Sequence, residues 1–337
     1  MTEVRQDLAR ASTMLDLGRY DEATSLLGCI VAAEPADTVA WCLLAAAHLG
    51  NGLSRDAASA ARHAIALSPS DDWPYRLASR AQLMLGNVAE AMDAAQQACR
   101  LAPDQWQAHA SMANAALATQ VEFDLAEQAS ARARALAPDE PEVHYLSGQV
   151  SFAREQRRAA RAHYQRTLAL DPTHSRAMNE LGRISARASN AGAARHFIQA
   201  ARSDPAVSTY GRNVNVVVGR VMVQTVYVAL IASFALLFLT AVYHATRVDA
   251  VLWYAAAALL GAGFGVTQFL RMPRETRPVF RKPLIVLMLG LVYGVILLAM
   301  IVVALLPAQM LPWVVLAATA AIVACPVIAR AILRRRP

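Results

Sequence analysis

The chain has 337 residues and a formal net charge of +7, but its charges are unevenly divided. Residues 1–210 carry 20 Arg against 23 Asp plus Glu, whereas residues 211–337 carry 11 Arg and Lys282 against only Asp249 and Glu275. A nearly neutral half joined to an apolar half with cationic loops is not a clustered basic surface, so nucleic acid is excluded as an expected partner.

In chain order, the first twenty residues spread Glu3, Arg5, Asp7, Arg10, Asp16 and Arg19 evenly and leave no apolar core for a signal peptide. Residues 1–210 are therefore expected to stay on the side of the membrane where they are made. Six prolines then set a period: Pro35, Pro69, Pro103, Pro138, Pro172 and Pro205, at intervals of 34, 34, 35, 34 and 33 residues. Twelve residues before each stands an alanine (Ala23, Ala57, Ala91, Ala126, Ala160, Ala193), and seventeen before the first three stands Gly18, Gly52 or Gly86. The pattern predicts one helical hairpin per unit. A first helix, A, ends in a glycine turn, and a second, B, runs toward a proline that cannot continue it. The alanine marks a close approach of the two helices. One hairpin cannot bury its apolar face alone, so stacking must do it. The 35-residue interval adds a residue near Thr119–Phe123, expected as a longer turn in the fourth hairpin. After Pro205 the pattern breaks at a junction where a final amphipathic helix could begin.

Trp41 with Leu44 and Ala57, Gly148 with Ala160, Tyr164 and Pro172, and Leu181-Gly182 with Phe197 and Pro205 resemble the tetratricopeptide repeat signature. Endings such as "LALDP" are also typical of that family. The resemblance covers residues 4–205. Ala45, Ser79 and Ala113 depart from the glycine of helix A, and Val121 and Glu155 from the turn glycine. His109 and His144 stand where Trp41 and Tyr75 stand, which reads as packing between helices A and B and not as ligation. Cys29, Cys42, Cys99 and Cys325 form no CxxC pair and read as small buried apolar residues.

The resemblance implies that helix A lines a concave binding surface. Carried over by register, it offers Trp73, Arg76 and Arg80 in the third repeat, Asn114 in the fourth, and Tyr145 and Phe152 in the fifth. The sixth offers Arg176, Asn179, Arg183 and Arg187. Arginine at both ends with aromatic rings between would suit a cytosolic protein or peptide with acidic groups and apolar anchors.

Four uncharged stretches follow: Val221–Tyr243, Ala250–Leu270, Leu284–Leu306 and Pro312–Ala329. Each approaches the roughly 20 residues that span a bilayer. Arg271, Arg274, Arg277, Arg281 and Lys282 in one loop, with Arg330 and Arg334–Arg336 in the tail, fall on one side when there are four crossings. The expected fold class is thus all-α: a right-handed tetratricopeptide-like solenoid of about six hairpins in residues 1–210, then a four-helix transmembrane domain in residues 211–337 of no recognised family. The expected location is the bacterial inner membrane, multi-pass, with both termini and the repeats cytosolic.

No P-loop, GxSxG or HExxH occurs, and "GAGFG" lies inside an apolar stretch. No catalysis, cofactor or metal is expected. The function read from the sequence is a membrane-anchored interaction scaffold or recruitment factor, with the bilayer and membrane proteins as further partners. The rival is an accessory subunit of a secretion, envelope-biogenesis or transport complex. A stand-alone transporter or membrane enzyme ranks last, since no ionisable residue lies within the stretches.

Overall fold

The computed structural model describes residues 2–186, 190–205 and 207–221, and Gln224, Thr267 and Leu270 besides. Among these residues the chain forms α1 (Thr2–Asp16), α2 (Tyr20–Ala33), α3 (Thr38–Gly50), α4 (Ser54–Leu67), α5 (Asp72–Leu85) and α6 (Val88–Leu101). They continue with α7 (Trp106–Ala118), α8 (Phe123–Leu136), α9 (Pro141–Ala153), α10 (Arg157–Leu170), α11 (Ser175–Ser185) and α12 (Asn190–Ser203). A further helix covers 208–221. The chain divides into two compact units, one closing at Ala177 and the other opening at Met178.

Each even-numbered helix stops two residues before a proline because of local sterics. The residue before proline is driven out of the helical region, and Glu34, Ser68, Ala102, Ala137 and Asp171 all adopt φ between −126° and −139° with positive ψ. Their N–H groups still donate to the carbonyl four residues back, at 2.8 to 3.0 Å. The turn inside each of the first five hairpins holds a left-handed residue. Gly18, Gly52 and Gly86 sit at φ 71°, 74° and 83°, and Glu155 takes the same place at φ 61°. In each of these turns the next residue donates to a carbonyl five back, as Gln156 does to Ser151 at 2.9 Å. The fourth hairpin differs. Gln120, not Val121, takes φ 59°, since a β-branched residue fits the left-handed region poorly. Thr119 Oγ1 gathers the spare N–H groups of Val121 (3.3 Å) and Glu122 (3.0 Å). The extra residue of the 35-residue interval is absorbed there.

In the first unit, α1–α2, α3–α4, α5–α6, α7–α8 and α9–α10 pack as hairpins, and each packs on the next. The first helices also lie side by side, α1 on α3, α3 on α5, α5 on α7 and α7 on α9. The core is built of small residues: Ala23, Ala57, Ala91, Ala126 and Ala160 are fully buried. Where helix A offers glycine, helix B fills the space with a ring. A Cβ built on Gly148 would run into Tyr164, which is itself fully buried. Ala45, Ser79 and Ala113 occupy the same register in hairpins whose helix B offers Ala61, Ala95 and Ser130 instead. The departures from the family signature are therefore matched pairs of volumes.

A second recurrent device ties each of the second to fifth hairpins to its predecessor. The side chain six residues after the proline donates to that proline's carbonyl: Trp41 to Pro35 (2.8 Å), Tyr75 to Pro69 (3.3 Å), His109 to Pro103 (2.8 Å) and His144 to Pro138 (2.7 Å). A carbonyl only accepts, so both histidines carry their proton on Nε2. His109 Nδ1 meets the Cys99 thiol at 3.9 Å. Among the described cysteines, Cys42 is buried, Cys99 half-buried and Cys29 exposed, contrary to the burial expected of them, and Cys325 lies outside the described residues.

In the second unit, Ala193, Ala194 and Phe197 of α12 share a core with Val217, Val218 and Val221. Asn213 donates to Asn179 Oδ1 at 2.8 Å, and Arg220 to the Ala186 carbonyl at 2.7 Å. Both pairs are 34 residues apart, so helix 208–221 stands where the first helix of a further repeat would stand.

The expected fold class is corrected at its second half. Among the described residues, no helix is long and apolar enough to cross a membrane. The longest, α1, has 15 residues, which at 1.5 Å per residue spans about 22 Å, short of the ~30 Å hydrocarbon core. Helix 208–221 carries Arg212 and Arg220. Of the four expected spans, only Val221, Gln224, Thr267 and Leu270 fall among the described residues, and the rest lie outside them. Among the described residues the supported fold is the helical-hairpin array.

Candidate peptide-binding groove

The first helices of the third to fifth hairpins expose a cavity of about 520 Å³ in the first unit. Asp71 caps α5 by accepting from the Trp73 N–H at 3.1 Å. That sets where the helix begins, and Trp73, Arg76, Leu77, Arg80 and Leu83, spaced three and four apart along it, share one wall. On α7, Trp106, Gln107, Ala110, Ser111 and Asn114 form the floor. Glu142, Leu146 and Gln149 of α9 and Arg176 of α11 close the far side.

The arginines differ in how far they are already engaged. Arg76 Nε meets Asp72 Oδ2 at 2.6 Å, and both side chains are mostly sheltered. Arg176 reaches both Glu142 oxygens, at 3.0 and 2.8 Å, and lies over the Tyr145 ring at 4.8 Å from its centre. Glu142 also accepts from His174 Nε2 at 3.3 Å, while His174 Nδ1 accepts from the Ala177 N–H at 3.2 Å. Burial pushes the Glu142 carboxyl up, but His174 and Arg176 outweigh it and hold the group below the usual carboxylate range. Arg80 is exposed and has no acidic partner among the described residues.

Of the residues expected from sequence, Trp73, Arg76, Arg80, Asn114 and Arg176 line this cavity. Tyr145 is buried beneath Arg176 and beside Tyr164 and His174, at 5.8 and 5.0 Å between ring centres. Phe152 is half-buried on α9 and is not among the lining residues. Asn179 and Arg183 belong to the second unit, where Asn179 holds Asn213 and Arg183 pairs with Glu180 at 2.7 Å. Arg187 lies outside the described residues. Sequence reasoning passes over Trp106, Leu77 and Leu146, although Trp106, Ala110 and Asn114 recur every four residues, the mark of one helix face. It also treats Arg176 as free. Glu142 stands 34 residues earlier, at the same place in the preceding repeat, and that spacing would have paired them.

The chain matches no family model and no curated protein. Among solved structures it is similar to a tetratricopeptide repeat protein from Parabacteroides merdae, at 12% identity and TM-score 0.56, over 64% of this chain and 84% of that one. The Cut9–Hcn1 hetero-tetramer of the APC/C is similar at 16% identity and TM-score 0.55, over 64% of this chain and 42% of that one. The fold is that of a tetratricopeptide repeat array. A thermophilic repeat protein from Thermus thermophilus is 25% identical, over 51% of this chain and 93% of that one, with TM-score 0.48.

Stacked helical hairpins of such an array present an extended concave surface. Among the described residues no three His, Cys, Asp or Glu side chains gather where they would hold a metal ion. Several expectations are corrected together, because each needs a membrane-crossing helix and none occurs among the described residues. They are the membrane-anchored scaffold, the multi-pass inner-membrane location, and the bilayer and membrane proteins as partners. The rival readings as a subunit of a secretion, envelope-biogenesis or transport complex, as a transporter, or as a membrane enzyme go with them.

Proposed function

We propose that the tetratricopeptide array is a protein-interaction module whose groove, formed by α5, α7 and α9, binds a peptide segment of another protein. The observation that carries this is the composition of the cavity: two tryptophans and three leucines beside the amides of Gln107, Asn114 and Gln149. Indole and leucine surfaces give apolar anchors, and amides donate to and accept from an extended backbone, whose groups need such partners once removed from water. A volume of about 520 Å³ suits a few side chains and not a whole domain face.

The test places a photo-crosslinking residue at Asn114, which is exposed in the groove, and in a second protein at Gln165, which is exposed on α10. A partner captured from position 114, absent from position 165 and lost on Trp73→Ala supports the reading. A partner captured equally from both positions, or one indifferent to Trp73→Ala, rejects it.

A further inference from the structure

We infer that the groove selects peptides bearing a single acidic side chain, seated on Arg80 between apolar neighbours, and discriminates against polyacidic ones. This rests on the groove being the peptide site proposed above, and it follows from an account of the charges on its walls. Three arginines line the cavity. Two are already neutralised, Arg76 by Asp72 one turn earlier on its own helix and Arg176 by Glu142 of the cavity wall. The Arg76 pair is well shielded, with side chains only 25% and 18% exposed, so water does little to loosen it. The Arg176 pair is reinforced by the ring of Tyr145 and by His174. Because His174 Nδ1 is occupied by the Ala177 N–H, the imidazole that donates to Glu142 is the neutral Nε2–H form. Arg176 alone therefore balances the Glu142 charge.

That leaves Arg80, exposed and without an acidic partner among the described residues, as the cation offered to a ligand. One carboxylate placed there gains a charge-assisted hydrogen bond without breaking anything. A second would have to approach Glu142 or Asp72, meeting like charge, or displace one of them from its arginine. Either cost opposes binding, so the two internal pairs act as a filter against acidic runs. Trp73, Trp106 and Leu83 on the same walls call for apolar residues flanking the acidic one.

The test pans a phage-displayed library of short random linear peptides on the purified full chain, then measures selected peptides against Trp73→Ala, Arg80→Gln and Asp72→Asn. The expected wild-type peptides carry one Asp or Glu beside apolar residues, and Arg80→Gln weakens them by about tenfold, the loss of one charged hydrogen bond. Asp72→Asn frees Arg76 one helical turn from Arg80, so peptides with two acidic residues should gain affinity on that variant alone. Arg80 is exposed, so an unchanged melting curve certifies that Arg80→Gln is folded. Selected peptides that lack acidic residues, or carry runs of them, overturn the inference, as does unchanged binding to Arg80→Gln. If binding survives Trp73→Ala, the peptides sit elsewhere and the groove reading itself falls. Loss on Trp73→Ala with indifference to Arg80→Gln keeps the groove and removes only the charge filter.

Discussion

At the scale of single residues, the array is governed by pairs of positions whose volumes or backbone angles must agree. Gly148 leaves the space that the Tyr164 ring occupies. Gly148→Ala gains up to ~1 kcal/mol of helix propensity but forces the ring aside, and overpacking costs about 1–3 kcal/mol. The expected net result is a lower thermal midpoint, with much of the loss recovered when Tyr164→Leu is added, which a double-mutant cycle would measure. The turn positions give a complementary pair. Glu155 holds φ 61°, where glycine is unstrained, so Glu155→Gly should stabilise, whereas Gly86→Ala at φ 83° should destabilise. Each change is expected at roughly 1 kcal/mol, and denaturant midpoints of the two variants should move in opposite directions. The period in the sequence locates these turns. It does not reveal that Gln120 replaces Val121, because that choice depends on an extra residue and on which neighbour tolerates a left-handed backbone.

At the scale of elements, the joints between hairpins carry more order than the proline spacing alone suggests. Trp41, Tyr75, His109 and His144 differ in chemistry but share a donor at similar reach, and each closes on the carbonyl of the proline six residues before it. The sequence marks the position as one of packing, which is true of its ring and misses its hydrogen bond. The missing signal is there to be read: four successive repeats place a ring N–H or O–H at that point. His109→Leu should cost about 1 kcal/mol, the usual net worth of one such bond, while His109→Tyr, which restores the arrangement at Tyr75, should cost less. Comparing urea midpoints for the two variants separates the bond from the packing. The expected groove positions come from the register of the repeat family that the sequence resembles. With that register carried over every 34 residues, Trp73, Arg76, Arg80 and Asn114 of the cavity lining could be placed by counting. Their mutual charges could not, since pairs such as Arg176 with Glu142 join neighbouring repeats.

At the scale of the whole molecule, stability should depend on pH through half-buried histidines. Burial, the largest cause, pulls the pKa of His48 and His163 below the ordinary value of 6.5, with Arg134 and His144 pressing His163 further the same way. His48 Nδ1 is also buried without a hydrogen-bond partner. The unfolded chain therefore takes up protons before the folded one as pH falls below about 6.5, and stability drops with it. Glu142 acts later, since its lowered pKa adds stability that is lost only as pH falls through its folded value, below 4.5. Thermal midpoints should fall between pH 7 and about pH 5.5, and the fall should shrink in a His48→Gln, His163→Gln double variant. An unchanged slope in that variant would assign the pH dependence to other groups. The first 205 residues announced their architecture because a period enforces itself six times. The expectation built on the apolar stretches after residue 220 rested on their length and on loop charge, and no helix among the described residues is long and apolar enough to bear it out.

The matched volumes of Gly148 with Tyr164, and of Ser79 with Ala95, set a rule for how such a gene can be rearranged. A crossover at the proline joints moves each cavity together with the ring or methyl that fills it, so whole hairpins can be duplicated or exchanged. A crossover inside a hairpin turn would join the helix of Ser79 to the helix of Tyr164, setting a bulky ring against a wall with no recess for it. Viable descendants of this chain should therefore carry their breakpoints at the prolines and not at the glycine turns.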